Sequence, residues 1–230
     1  MKRRKTKLFV VALGGSIICP QQVDWEFLKR FKGFVERWCR AGARFVIVAG
    51  GGKVSRMYQH AAGRVVRVAN EDKDWIGIHA TRLNAHLLRT ILRAHADPVV
   101  IDRRHRLRWL SFPITIASGW RPGWSTDYVA VQLAADFRAR EVVIAGKPDY
   151  VYDKDCHLHG NARPLPRLRW REYRALIPPR WIPGSHAPVD PVASRLAERE
   201  RVRVAVICGR DLRNFSRLLR GQKFRGTIIE

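Results

Sequence analysis

Acidic residues are scarce in this chain. Aspartate and glutamate number 20 against 44 lysines and arginines in 230 residues, a formal net charge of +24. Ten lysines leave 34 of the basic residues as arginine, spread along the chain instead of gathered in one tail. A charge of this size attracts polyanions in a salt-dependent way. No nucleic-acid-binding module accompanies it, so nucleic acid stays open as a partner without being predicted. The basic run at residues 2–7 is the best local candidate for a phosphate contact. Cysteine is also sparse: Cys19, Cys39, Cys156 and Cys208 show no CxxC or Cys/His ligand spacing. That spacing supports neither a disulfide framework nor a zinc site, and it suits reduced, partly buried thiols. His157 and His159 beside Cys156 read as a polar loop, and no metal-ligating residues are assigned. No apolar run approaches the ~20 residues of a membrane span, and the basic N-terminus leads directly into a strand pattern unlike a signal peptide. The expected location is the cytoplasm, with no membrane partner. Linkers, repeats and low-complexity tracts are absent too.

With 46% hydrophobic and 28% charged residues, the chain has the composition of a globular protein able to bury a full core. Its organising stretch is Phe45-Val46-Ile47-Val48-Ala49-Gly50-Gly51-Gly52-Lys53, a short buried strand, three glycines and the opening of a helical pattern. Such a turn offers backbone N–H groups and a favourable helix dipole to an anion, with no Cβ in the way. The design occurs twice, since Leu8-Phe9-Val10-Val11-Ala12-Leu13-Gly14-Gly15-Ser16 repeats it near the N-terminus. Two such turns in one small chain point to phosphate chemistry.

Asp24 is a plausible N-cap for a helix with Trp25, Leu28, Phe31, Val35 and Trp38 at helical spacing, closing at Gly42. A strand over 44–49 and a helix over 54–62 follow, then a long helix over 72–96. Strands are expected at 98–101, 107–110 and 112–117. Residues 118–127 read as a loop ending in helix-capping residues, before a helix over 128–137. A strand at 141–145 precedes a proline- and arginine-rich excursion over 156–188 with one short helix near 169–176. Asp190 and Pro191 open a helix as N-cap and first-turn proline. A strand at 202–207, a helix at 212–219 and a closing strand at 226–230 complete the chain. Alternating strands and helices predict an α/β fold, a mostly parallel sheet covered on both faces. The division expected within residues 1–230 is soft, between an acceptor-binding half to about residue 140 and a nucleotide-binding half from 141.

Several motifs now stand in a telling order: Gly14-Gly15-Ser16; Gly50-Gly51-Gly52-Lys53 with Arg56; Asp74-Trp75-Ile76-Gly77-Ile78 with Thr81-Arg82-Leu83-Asn84-Ala85; Pro122-Gly123-Trp124-Ser125-Thr126-Asp127; Asp149-Tyr150-Val151-Tyr152-Asp153-Lys154-Asp155; Val189-Asp190-Pro191; and Gly226-Thr227. In this order and spacing the chain resembles the amino acid kinase superfamily, and within it the archaeal type of uridylate kinase, from about residue 8 to the end. The resemblance implies a three-layer αβα sandwich that transfers the γ-phosphoryl group of ATP to UMP with Mg2+, as a homo-oligomer, usually a hexamer. It assigns Gly15, Ser16, Gly52 and Arg56 to the ATP phosphates, and Tyr152 and Asp155 to the ATP nucleoside. Gly51 falls to the UMP phosphate, Asp74 to the ribose hydroxyls, and Arg121, Pro122, Gly123, Trp124, Ser125 and Thr126 to a loop around UMP. Asp127 becomes an organiser of the transfer site, and its plainer reading is a helix cap.

The chain also departs from the family pattern. Most members of the superfamily place a catalytic lysine two residues before the first glycine pair, where this chain has Ala12, as the archaeal uridylate kinases also lack it. Lys53 and Lys154 are the candidate cations, and Lys53 is preferred for its place beside both turns. Gly146, Lys147 and Tyr150 replace the family's usual residues in the nucleotide half. Trp120 and Trp124 enter the acceptor loop, where indoles either stack on a base or narrow the pocket. The alternatives are a kinase for another small phosphate or carboxylate acceptor, and a catalytically weak basic relative that binds nucleotide or RNA.

Overall fold

The computed structural model describes residues 7–156, 158–180 and 187–230. The basic run at 2–7, apart from Lys7, and His157 lie outside these residues. The chain runs β1 (Leu8–Leu13), α1 (Gly15–Ile18), α2 (Trp25–Arg40), β2 (Arg44–Ala49), α3 (Gly52–Val65), α4 (Asn70–Ile91), β3 (Ile114–Ala117), α5 (Thr126–Asp136) and β4 (Glu141–Gly146). It continues through β5 (Val151–Tyr152), β6 (Pro164–Leu165), β7 (Arg167–Leu168), α6 (Trp170–Ala175), α7 (Pro191–Arg199), β8 (Arg203–Cys208), α8 (Leu212–Leu219) and β9 (Thr227–Ile229).

Seven strands form one sheet in the order β3-β2-β1-β4-β8-β9-β7, and β5 and β6 form a separate antiparallel pair. All neighbours in the large sheet are parallel except β8 and β9. The strands read as continuous apolar runs because both faces are covered. Phe9, Val11 and Leu13 of β1 enter a core with Phe27, Phe31 and Phe34 of α2, Leu88 of α4 and Phe215 of α8. Val10 and Ala12 point the other way, to Val129 and Leu133 of α5, Tyr173 of α6 and Leu196 of α7. This is the expected three-layer αβα sandwich.

Local chemistry explains the helix starts. Asp24 caps α2 by accepting from the Phe27 amide at 2.9 Å, and Asp190 caps α7 through Val192 and Ala193 at 2.7 and 2.9 Å. Both caps are as the sequence predicts. Helix α4 opens at Asn70, two residues ahead of its expected start, and ends at Ile91.

Two expected strands are absent. Residues 96–101 run beside β3 but touch it only at isolated bridges, Ala96 to Ile114 and Ile101 to Ala117. Asp97 turns its carboxylate onto the Val99 amide at 2.9 Å, and Pro98 has no N–H to give, so no ladder forms. Residues 107–110 pack without strand structure, with Leu107 and Leu110 half-buried against the second core. In the opposite direction, β7 is an edge strand of only two residues set between Pro166 and α6, too short to show a periodicity.

Candidate functional site

Strands β1 and β2 are parallel and in register, Leu13 opposite Ala49, so the glycine turns that follow them emerge side by side. They touch backbone to backbone. A Cβ on Gly15 would lie 2.0 Å from the Gly52 amide nitrogen, and one on Gly50 would lie 2.3 Å from that of Gly15. Gly52 adopts φ +68, where a Cβ would meet the Gly15 carbonyl oxygen at 2.2 Å. Only glycine fits at these places.

The contact is fixed by its neighbours. Gly50 N–H donates to Leu13 O at 2.9 Å, Lys53 N–H to Cys19 O at 3.0 Å, and Gly14 N–H to Ala145 O at 2.9 Å. Among the described residues the amides of Gly15, Ser16, Gly51 and Gly52 make no backbone hydrogen bond outside helices and strands. All four belong to the opening turn or cap of α1 or α3. Donors of this kind are what an anion at a helix N-terminus uses.

Asn84 of α4 closes the back of the turn. Buried, it donates through Nδ2 to Gly50 O at 2.7 Å and to Gly51 O at 3.1 Å. It stands inside a sequence motif, but nothing in that motif marks it as the residue that shapes the turn.

Beside the turns lies a cavity of about 200 Å³. Its walls include Gly51, Gly52 and Arg56 on the turn side, Asp74 on α4, and Trp124, Ser125 and Thr126 at the start of α5. Residues expected on the donor side and on the acceptor side therefore share one cavity. Ser55, Gln59, Gly77, Ile78, Thr81 and Gly119 complete the walls, and sequence reasoning assigns none of them to the site. Helical spacing carries their signal: Gly77, Ile78 and Thr81 follow Asp74 by three, four and seven, and Ser55 and Gln59 follow Gly52 by three and seven.

The other wall is a braced loop. Asp74 Oδ2 accepts from the Gly123 amide at 2.8 Å, which fastens the 121–125 turn to α4, and Gly123 sits at φ +78 with open space around it. The Arg121 guanidinium lies 4.3 Å from the Trp124 ring centroid, and Trp124 packs on Tyr128 at 4.5 Å. Arg121, Pro122 and Gly123 build this turn without lining the cavity. Trp120 belongs to the core: it is 5% exposed, and its Nε1 donates to Ile101 O at 3.3 Å. Of the two indoles, Trp124 alone faces the cavity.

Two carboxylates stand at the head of α5. Ser125 caps the helix by accepting from the Tyr128 amide at 3.0 Å, and its hydroxyl donates to Asp190 Oδ2. Asp127 keeps part of its surface open, but protein surrounds its carboxyl on most sides. Burial and the charge of Asp190 push that carboxyl up to about 8, opposed by the Asp190 amide that donates to it. Burial raises Asp190 as well, against hydrogen bonds from Ser125, Ala193 and Val192. Tyr173 OH donates to Val189 O and accepts from Val189 N, both at 2.6 Å, and so holds the residue next to Asp190. Two enclosed acids at one helix head form a site that a positive charge would stabilise.

The remaining predicted residues are more open. Lys53 is exposed on the first turn of α3 and does not line the cavity. Arg56 is exposed but stands on the cavity wall. Tyr152 lies on β5 and donates to Asp149 Oδ1 at 2.8 Å, and Asp155 is exposed just beyond it. Thr227, fully buried, ties β5 to β6 by accepting from Val151 N at 2.8 Å and donating to Leu165 O at 2.6 Å. Lys154 is also exposed, and Ala12 is a core residue.

Among the described residues no group of three or more His, Cys, Asp or Glu side chains could hold a metal ion unaided. Mg2+ asks for less, since it binds through one or two carboxylates together with substrate phosphates and water. The enclosed carboxyl of Asp127 is of the kind such a site uses. Among the described residues both oxygens of Asp190 are already engaged, whereas the hydrogen bond found for Asp127 is one from the Asp190 amide.

Residues 7–105 and 113–208 match the amino acid kinase family. The uridylate kinase of Thermococcus gammatolerans is 34% identical over 225 residues, covering 96% of this chain and 98% of that protein. That of Hyperthermus butylicus is 32% identical over 222 residues, with 96% of each chain covered. The crystal structure of uridylate kinase from Archaeoglobus fulgidus superimposes with a TM-score of 0.82 at 28% identity, over 98% of this chain and all of that one. With the touching glycine turns and the shared cavity already on hand, these likenesses agree with the fold. The chain belongs to the amino acid kinase family.

Proposed function

We propose that the protein transfers the γ-phosphoryl group of ATP to UMP, giving ADP and UDP. The observation that carries this reading is the backbone contact between the two glycine turns beside a cavity lined by Asp74 and Trp124 to Thr126. Phosphoryl transfer asks the protein chiefly to position two phosphates in line and to stabilise spread negative charge. Two turns in contact, each opening a helix, do both.

The donor phosphates lie along Gly15, Ser16, Gly52 and Arg56, and the ATP nucleoside lies by Tyr152 and Asp155 in the half that begins near residue 141. The acceptor phosphate faces Gly51. Asp74 accepts from the ribose hydroxyls, and the 121–126 turn closes over the nucleotide with Trp124 as its apolar wall. Asp127 would hold the Mg2+ that accompanies ATP. Mg2+, when bound, neutralises charge on the phosphoryl oxygens. Lys53 supplies the cation that Ala12 cannot, reaching the junction by rotation of its exposed side chain. The reaction belongs to pyrimidine nucleotide synthesis in the cytoplasm, and no described helix is long and apolar enough to cross a membrane. The working form is a homo-oligomer, a hexamer by family resemblance. Helix α3 supports this, because Gly52 is its one buried residue while Met57, Tyr58 and Val65 are more than half exposed.

The deciding assay offers UMP, CMP, AMP, GMP and dTMP with ATP and Mg2+. UDP formation with at least tenfold preference for UMP in kcat/KM is expected. Turnover of a different acceptor alone would replace the substrate, and no turnover of any would remove the nucleoside monophosphate kinase reading. In the same assay Lys53→Met should lower kcat about 100-fold with an unchanged thermal midpoint. Unchanged kcat would release Lys53 from the role.

A further inference from the structure

A second cavity, of about 760 Å³, opens at the end of the sheet opposite the glycine turns. It lies where β4 and β8 begin and β9 ends, and its walls carry Arg140, Arg169, Arg171, Arg201 and Arg203 over a floor of buried Trp170 and Val202. These arginines come from three separate segments with one spacing: Arg138 and Arg140 before β4; Arg167, Arg169 and Arg171 around β7; and Arg199, Arg201 and Arg203 before and into β8. The topology gathers three Arg-x-Arg runs at one place.

Charge pairing leaves the site strongly positive. Its three acids, Glu141, Glu198 and Glu230, are each paired with an arginine: Glu141 with Arg203, Glu198 with Arg174 at 2.7 Å, and Glu230 with Arg167 at 3.4 Å. Arg199 pairs with Glu200 at 3.0 Å. Among the described residues Arg138, Arg140, Arg169, Arg171 and Arg201 have no ion pair, and all five are exposed. Arg138 and Arg201 hold the left-handed backbone, at φ 58 and 54, where glycine or asparagine is the less strained choice. Arg167 and Arg169 follow one another in extended backbone, so they stand about 6.6 Å apart along the chain.

We propose that this groove binds single-stranded nucleic acid by its phosphodiester backbone. Guanidinium groups recognise phosphate oxygens in pairs of hydrogen bonds and keep their charge at every physiological pH. A positively charged groove that tracks the backbone is the usual basis of sequence-tolerant single-strand binding. Four of the five unpaired arginines, Arg140, Arg169, Arg171 and Arg201, line the cavity, with Arg138 two residues before Arg140, more guanidinium groups than the phosphate of one mononucleotide needs. The groove uses none of the residues assigned to phosphoryl transfer, so it stands or falls apart from that reaction.

The test measures fluorescence anisotropy of 5′-labelled uridylate and thymidylate 12-mers on the full chain across a KCl series, with thermal midpoint as the folding control. Replacing Arg140, Arg169, Arg171 and Arg201 together by alanine should weaken binding at least tenfold near 100 mM KCl. The slope of log affinity against log salt should flatten by about 3, at ~0.7 for each phosphate that no longer meets a guanidinium. Replacing the exposed Arg30, Arg40, Arg64 and Arg93 instead should change affinity less than threefold. Equal affinity for both 12-mers assigns recognition to the shared backbone, and a tenfold preference for uridylate assigns it to RNA. Equal losses in the two quadruple variants, or undiminished binding by the groove variant, would overturn the proposal.

Discussion

Asp74 has two tasks. It lines the cavity and holds the Gly123 amide, so the carboxylate assigned to the acceptor ribose also fixes the loop that encloses the acceptor. Alanine at this position removes both interactions on the acceptor side and leaves the donor turn, built by Gly15, Gly52 and Asn84, in place. Asp74→Ala should therefore raise KM for UMP about tenfold or more while KM for ATP changes less than threefold, as steady-state kinetics would measure. A similar rise in both would contradict the assignment. At this scale the sequence is most legible where a residue type is demanded by its chemistry. The glycines are readable because few residues allow backbone contact, and Asp74 and Thr126 both stand on the cavity wall. Asn84 and Thr81 are harder to assign because their roles depend on what packs across from them: Asn84 on two turn carbonyls and Thr81 on the Gly119 amide at 2.8 Å; Asp190 is legible as a cap, but not its second contact with Ser125. Trp120 departs from its expected place in the acceptor loop for the same reason, since a tryptophan in a loop can enter the core as well as a pocket.

Among the elements, the pairing of β1 with β2 does the most for the site. Register in a parallel pair fixes the relative height of the strand ends, and here it sets both glycine turns at one level. A methyl group on Gly15 cannot be absorbed, because its nearest neighbours are backbone atoms at 2.0 and 2.6 Å. Gly15→Ala should cost about 3 kcal/mol, lowering the thermal midpoint by roughly 10 °C, and should lower turnover in the folded fraction at least 100-fold. An unchanged midpoint and turnover would mean that the turns are farther apart than described. The helices are legible because caps such as Asp24, Ser125 and Asp190 combine with long apolar faces. Strand patterns are less secure at the sheet edge. Residues 98–101 are apolar enough for a strand, but an aspartate-based turn at Asp97 and a proline at position 98 keep them out of the ladder. The edge strand β7 escapes a sequence reading because two residues cannot show an alternation.

Across the whole molecule, the sheet separates two kinds of chemistry. Its C-terminal edge at β1 and β2 carries the glycine junction, and its far end at β4, β8 and β9 carries the arginine groove. The +24 charge is thus not distributed without consequence, since part of it converges where acids are already paired. The central claim concerns the first of these ends: donor and acceptor phosphates meet where the turns touch. A single molecule that joins adenosine to uridine through five phosphates should span both positions and resemble the two substrates held in line. Inhibition by this compound, measured against each substrate in turn, should be competitive with both ATP and UMP, with a Kd at least tenfold below that of either. Competition with only one substrate, or binding no tighter than ATP, would contradict the account.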